Sequence, residues 1–193
     1  MPGPFEHQKY LLRKQALKLF GGTFRMYDPN GALVLCADMK AFKLKEDITI
    51  FPDEKKTTPL INIKARQVLD ISAAYDVVDV PTGQKIGVLN RKGLKSILKD
   101  EWLIMDANDN EIGTIQEDQW ILALIRRFTT SLVPQSFHGD IGGKEVFRFH
   151  QHFNPFIFKI DLDFTPDMGN LLDRRLGIAA GVLMCAIEGR QKD

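Results

Sequence analysis

The residues in this chain best suited to bind something are cations. The stretch "NRKGLKSILK" sets Arg91, Lys92, Lys95 and Lys99 close together; "IRRF" adds Arg126 and Arg127, and "DRRL" adds Arg174 and Arg175. Clustered ammonium and guanidinium groups can hold the phosphates of an anionic lipid head group, each contributing about 1 kcal/mol near a charged surface. These eight residues form the candidate lipid-binding set. The competing reading is a solvated edge that resists pairing with another chain. A net charge of +1 adds no long-range attraction and gives no reason to expect nucleic acid.

Other constellations fall short of their chemistry. In "DLDFTPDMGNLLD", Asp161, Asp163 and Asp167 occupy positions one, three and seven of a calcium-loop register. Pro166 stands where that loop requires Gly, and Leu172 where it requires a bidentate Glu. His150 and His152 share a strand face with His138 nearby, but zinc takes three or four ligands and no cysteine is placed to complete the set. Solvent-facing strand residues are the expectation for them. Nucleophile elbow, Walker loop and dinucleotide fingerprint are all missing, and "IGGKE" at 141–145 lacks phosphate-loop spacing and reads as a hairpin turn. No catalytic residue, metal or cofactor is therefore expected.

The elements that must position the cations are strands. Apolar alternating segments meet turns rich in Asp, Asn, Gly and Pro, then resume. "TFRMYDPNGALVLCA" turns at 28–31, "AAYDVVDVPTGQKIGVLN" at 79–83, and "EWLIMDANDNEIGTIQE" at 106–110. "DITIFPDEKKTTPLINIKA" is a looser copy. In such turns Asp and Asn bond their own backbone, Pro presets φ and Gly supplies positive φ. Repetition of this unit predicts a large antiparallel sheet, closed or sandwiched. About twelve strands are expected, near 10–14, 23–28, 32–38, 46–51, 60–66, 73–79, 85–90, 101–106, 111–116, 135–141, 145–151 and 156–161. Phe156, Phe158 and Ile160 share one face of the last; Ile157, Lys159 and Asp161 share the other. In "EIGTIQ" the alternation fails at Ile112 and Ile115, which points to a bulge or mixed burial.

Two segments break the two-residue period. "EDQWILALIRRFTTSLVP" reads as a helix near 118–133, with Asp118 as N-cap and Pro134 past the end; its β-branched content leaves strand as the alternative. "LLDRRLGIAAGVLMCAIEG" carries twelve residues, 176–187, without a strongly polar side chain. At about 1.5 Å per residue they cover roughly 18 Å, short of a hydrocarbon slab of about 30 Å. No transmembrane span is expected. Asn170 is the candidate N-cap, Asp173 sits three residues later, and Gly189 can end the helix. Gly177 and Gly181, with Cys185 and Gly189, continue a four-residue step that lets a sheet backbone approach. A helix apolar all round must be enclosed all round. The simplest enclosure is a β-barrel threaded by this helix, which leaves its interior little room for a pocket.

The chain as a whole resembles the Tubby C-terminal-like superfamily, and within it the LURP-one-related proteins, with phospholipid scramblases as more distant relatives. The residues that carry the resemblance are "FRMYDPNGALVL", "YDVVDVPTGQKIGVLNRKGL", "WLIMDANDNEIGTI" and "FKIDLDF…LLDRRLGIAAGVLMCAIEG", spanning about Tyr10 to Gly189. The resemblance implies an α+β fold: a closed antiparallel barrel of twelve strands around a central hydrophobic helix. It also implies phosphoinositide binding through basic residues on the barrel, as in Tubby proteins. A single domain over 1–193 is expected, with a short flexible segment at 1–8. The expected function is a non-enzymatic binding module for anionic phospholipid, or a scaffold for a protein partner. The alternatives are a scramblase-like membrane protein and an enzyme with an unrecognised site. Buried Cys36 and Cys185, no apolar leader and no lipidation box make a cytoplasmic location, peripheral to a membrane, the expectation.

Overall fold

The computed structural model describes residues 2–15, 22–39, 47–66, 74–92, 101–118, 135–152 and 157–188. Among them are twelve strands. The first six are β1 (Lys9–Gln15), β2 (Gly22–Tyr27), β3 (Leu33–Met39), β4 (Asp47–Phe51), β5 (Ile61–Ala65) and β6 (Ala74–Asp79). The rest are β7 (Gln84–Arg91), β8 (Glu101–Met105), β9 (Glu111–Glu117), β10 (Ser136–Ile141), β11 (Lys144–His152) and β12 (Ile157–Asp163). Each pairs antiparallel with its predecessor, and β12 returns to β1 to close a barrel. The twelve expected strands are all present within two residues of their expected ends. The helix expected near 118–133 and Gly189 lie outside the described residues. Asp118, its expected cap, has its carboxylate 2.7 Å from His138 Nδ1.

The two rims of the barrel differ in sequence. At one rim, five hairpin turns each open on an aspartate that caps its own turn. Asp28 accepts the amides of Asn30 and Ala32, Asp53 that of Lys55, Asp106 those of Asn108 and Asn110, and Asp140 that of Gly143. Asp79 accepts the Thr82 hydroxyl. Local bonds of this kind favour a turn over continued strand. Four of these hairpins carry one extra residue on their second strand: Val34, Ile86, Ile112 and Val146 are skipped in the pairing. Ile112 is thus the bulge that broke the alternation in "EIGTIQ". Such bulges sharpen strand twist and help a sheet bend toward closure.

Helix α1 (Arg174–Glu188) fills the interior. Every residue from Leu176 to Ala186 is buried, and the helix touches β12, β7, β5 and β1. At about 1.5 Å per residue its fifteen residues span roughly 22 Å. No helix among the described residues is long and apolar enough to cross a membrane. The glycine stripe receives side chains, not the sheet backbone expected. Gly177 lies against the Phe164 ring and Gly181 against Leu162. Both cysteines are buried free thiols.

The helix cap is Asp173, not Asn170. Asp173 O accepts the amides of Leu176 and Gly177, and its carboxylate accepts that of Arg175 at 2.9 Å. Asn170 instead adopts φ of 48° in the preceding turn. That turn is fixed by buried Asp167, whose carboxylate accepts the amides of Leu171 and Leu172. The asparagine is consumed one turn too early to reach the helix. Asp173→Ala is expected to cost about 1 kcal/mol of stability and Asp173→Asn much less. Chemical denaturation midpoints check this; equal losses in both variants would remove the capping role.

Candidate functional site

The barrel separates the expected cations. Arg91 ends β7, its guanidinium 6.0 Å from the Trp102 ring, and Lys92 pairs with Glu101 at 2.9 Å. Arg174 and Arg175 stand at the other rim, where α1 begins. Gln84, at the turn end of β7, pairs with Asp79, the partner of Arg175. Seven residues of strand separate Gln84 from Arg91, roughly 23 Å. Lys95, Lys99, Arg126 and Arg127 lie outside the described residues.

Arg174 and Arg175 serve the helix entrance. The Arg174 guanidinium covers the Phe164 ring at 4.3 Å and donates to His7 O at 3.4 Å. Burial pulls its pKa down, partly offset by Tyr10 and Asp167. Arg175 bonds Asp173 at 2.6 Å and lies 3.4 Å from Asp79. Its hydrogen bond with Asp173 raises the guanidinium further.

A concavity of about 600 Å³ lies elsewhere, on the outer wall where β11, β12, β1 and β2 run side by side. None of the described candidate cations lines it. Its cations are Lys9, Arg13 and Arg148; its carboxylates are Asp28, Asp161 and Asp163. Strand register orders them. Lys9 pairs with Asp163, which pairs with Arg148 on its other side. Leu11 pairs with Asp161 and with Tyr27, and Asp161 pairs with His150. Leu11 is therefore the floor, Tyr27 one wall, and Lys9 and Arg13 the two ends along β1, roughly 13 Å apart at four residues' separation.

Most of these groups already have work. Lys9 Nζ lies 3.0 Å from Asp163, and Arg148 pairs with Glu145. Burial alone would raise the Asp163 carboxyl, but hydrogen bonds from Thr165 and the Lys9 ammonium hold it below the usual range. Asp28 Oδ1 is taken by its turn. His152 Nε2 lies 2.7 Å from Asp161 Oδ2, and His150 Nδ1 lies 2.7 Å from Ser136 Oγ. Arg13 differs. Its guanidinium lies over the Tyr27 ring at 4.9 Å and has no carboxylate partner among the described residues. Sequence reasoning passed over Lys9, Arg13 and Arg148. Alternation in "KYLLR", "RFH" and "DLD" would have put them on outward faces; bringing them together required the pairing of distant strands.

The metal candidates do not converge. Asp161, Asp163 and Asp167 turn to His152, to Lys9 with Thr165, and to loop amides. Among the described residues no three His, Cys, Asp or Glu side chains are grouped to hold an ion.

No curated protein and no solved structure matches the chain. The family model described as LURP-one-related matches residues 33–188, from β3 through α1, so the match takes in nearly all of the barrel and its central helix. On that span the chain belongs to the LURP-one-related family.

Proposed function

We propose that the domain is a non-enzymatic binding module whose cation-bearing rim meets anionic phospholipid head groups. The support is the position of Arg91 and Lys92 at the end of β7, taken with the sequences of the segments that follow and precede the strands ending there. Arg91 and Lys92 stand at one rim, and six segments join strands that end there: 16–21, 40–46, 67–73, 93–100, 119–134 and 153–156. Their sequences hold eight Lys and Arg, including Lys95, Lys99, Arg126 and Arg127, against three Asp and Glu. They also hold Phe20, Phe42, Trp120, Phe128, Phe153 and Phe156. Basic residues interleaved with aromatic ones suit a lipid interface. The opposite rim is built from the aspartate-capped turns. A cytoplasmic site, peripheral to a membrane, goes with this reading. Insertion of α1 as a scramblase-type anchor would require the barrel to open, because the helix is enclosed by its own strands.

Vesicle co-sedimentation tests the proposal. The wild-type chain is expected to sediment with phosphoinositide-containing vesicles and not with neutral ones, and less so as salt rises. With each cation contributing about 1 kcal/mol, Lys95→Glu with Lys99→Glu is expected to weaken binding by about 30-fold or more. Equal sedimentation with both kinds of vesicle, unaffected by the charge reversals, would reject the lipid role.

A further inference from the structure

The outer-wall groove is independent of that rim, and its charge balance selects a different ligand. We infer that it binds a zwitterion: a molecule with one anionic group, one cationic amine and a small body between them. Three observations converge on this. The groove carries three cations and three carboxylates, so a polyanion such as a multiply phosphorylated head group would set charges against Asp161 and Asp163; like-charge contacts of that kind reject ligands. Arg13 is the cation without a carboxylate partner among the described residues, and Tyr27 already fixes its guanidinium in place. Asp161 faces Leu11 from the neighbouring strand, and its one carboxylate bond among the described residues, to His152, uses a single oxygen.

Arg13 and Asp161 thus lie on either side of an apolar floor. The anionic end takes the Arg13 guanidinium, which lines the groove beside Tyr27. The amine takes the second oxygen of Asp161, and the body rests on Leu11 beside Tyr27. A groove of about 600 Å³ has the size of an ordinary small-molecule site. Both halves of the ligand are needed, because each alone leaves a charge of the groove facing nothing.

The test is a titration of the full chain, labelled for amide NMR, with phosphocholine and phosphoethanolamine as zwitterions and with inorganic phosphate and choline as half-ligands. A zwitterion is expected to give saturable shifts at Leu11, Tyr27 and Leu162, with each half-ligand at least about tenfold weaker, since one charged contact is worth that factor or more. Arg13→Gln and Asp161→Asn are each expected to weaken zwitterion binding by about tenfold while leaving the rest of the spectrum in place. Phosphatidylcholine vesicles form a second arm. Co-sedimentation lost in Arg13→Gln assigns the zwitterion to a bilayer head group; binding of free phosphocholine without co-sedimentation assigns it to a soluble molecule. The inference is overturned if neither zwitterion saturates, if phosphate alone binds as well, or if both variants bind like wild type. Each result stands apart from phosphoinositide sedimentation, which reads the rim that carries Arg91 and Lys92.

Discussion

Phe164→Ala is expected to lower the free energy of unfolding by about 3–5 kcal/mol, the range for deleting a buried phenyl ring. The ring is 1% exposed and sits where the helix meets the wall. Tyr10, Phe147 and Phe149 meet it edge-on, with centroids 6.1, 6.0 and 5.7 Å away. Arg174 covers it at 4.3 Å, and Gly177 passes beneath. Its neighbours are themselves fixed: Phe147 and Phe149 stack at 4.1 Å, and the Tyr10 hydroxyl donates to Pro4 O at 3.0 Å. Burial pushes that phenol up to about 12, so it stays a donor throughout the neutral range. A closed barrel has no free edge to collapse inward, so the cavity persists. Denaturant unfolding gives the magnitude.

A second substitution makes the same result sharper. A Cβ at Gly177 would lie 2.5 Å from the Phe164 ring, so Gly177→Ala is expected to destabilise the wild-type chain. With the ring removed, the neighbour left is Leu172 Cδ2 at 3.0 Å, the end of a side chain that can shift into the vacated space, and the helix propensity of alanine over glycine, about 0.8–1.0 kcal/mol, can act. The effect of Gly177→Ala is therefore expected to change sign in the Phe164→Ala background. Simple additivity of the two changes would mean that the glycine is not there to seat the ring.

This pairing shows where sequence reasoning reached and where it stopped. The strands were legible because the turns at one rim announce themselves: five open on Asp, and four of those aspartates bond amides of their own turn. The enclosure of α1 was legible because twelve residues are too few for a bilayer and too greasy for a surface. The meaning of Gly177 and Gly181 was half legible. Glycine at four-residue spacing predicts close approach, but whether backbone or side chain approaches depends on the wall opposite. The N-cap was misplaced because Asn170 and Asp173 are both good caps, and the buried carboxylate of Asp167 decides between them from within the turn. The groove was not legible at all. Its parts come from β1, β2, β11 and β12, and nothing local marks Arg13 as a neighbour of Asp161.

The bulges lead to the other large effect, at Gly113. Skipping Ile112 brings β9 so close to β10 that a Cβ on Gly113 would lie 2.0 Å from the carbonyl oxygen of Asp140 and 2.9 Å from Ile141 Cγ1. Gly87 repeats the arrangement one hairpin earlier: the skipped residue is Ile86, and the obstacle is the carbonyl of Met105, 2.6 Å away. A side chain can swing aside, but a strand carbonyl cannot move without its ladder. Gly113→Ala is therefore expected to cost about 3 kcal/mol despite adding one methyl, at the upper end for overpacking. The loss should appear as faster amide exchange across the β9–β10 pairing, from Gly113 to Glu117 and from Phe137 to Ile141, ahead of exchange in α1. Glu111 and Gly113 pair with the consecutive residues Met105 and Ile104, so the close approach falls where Ile112 is left out of the ladder. Bulge and glycine are thus one device, and Gly113→Ala with wild-type stability would mean that the close approach of β9 to β10 does not exist.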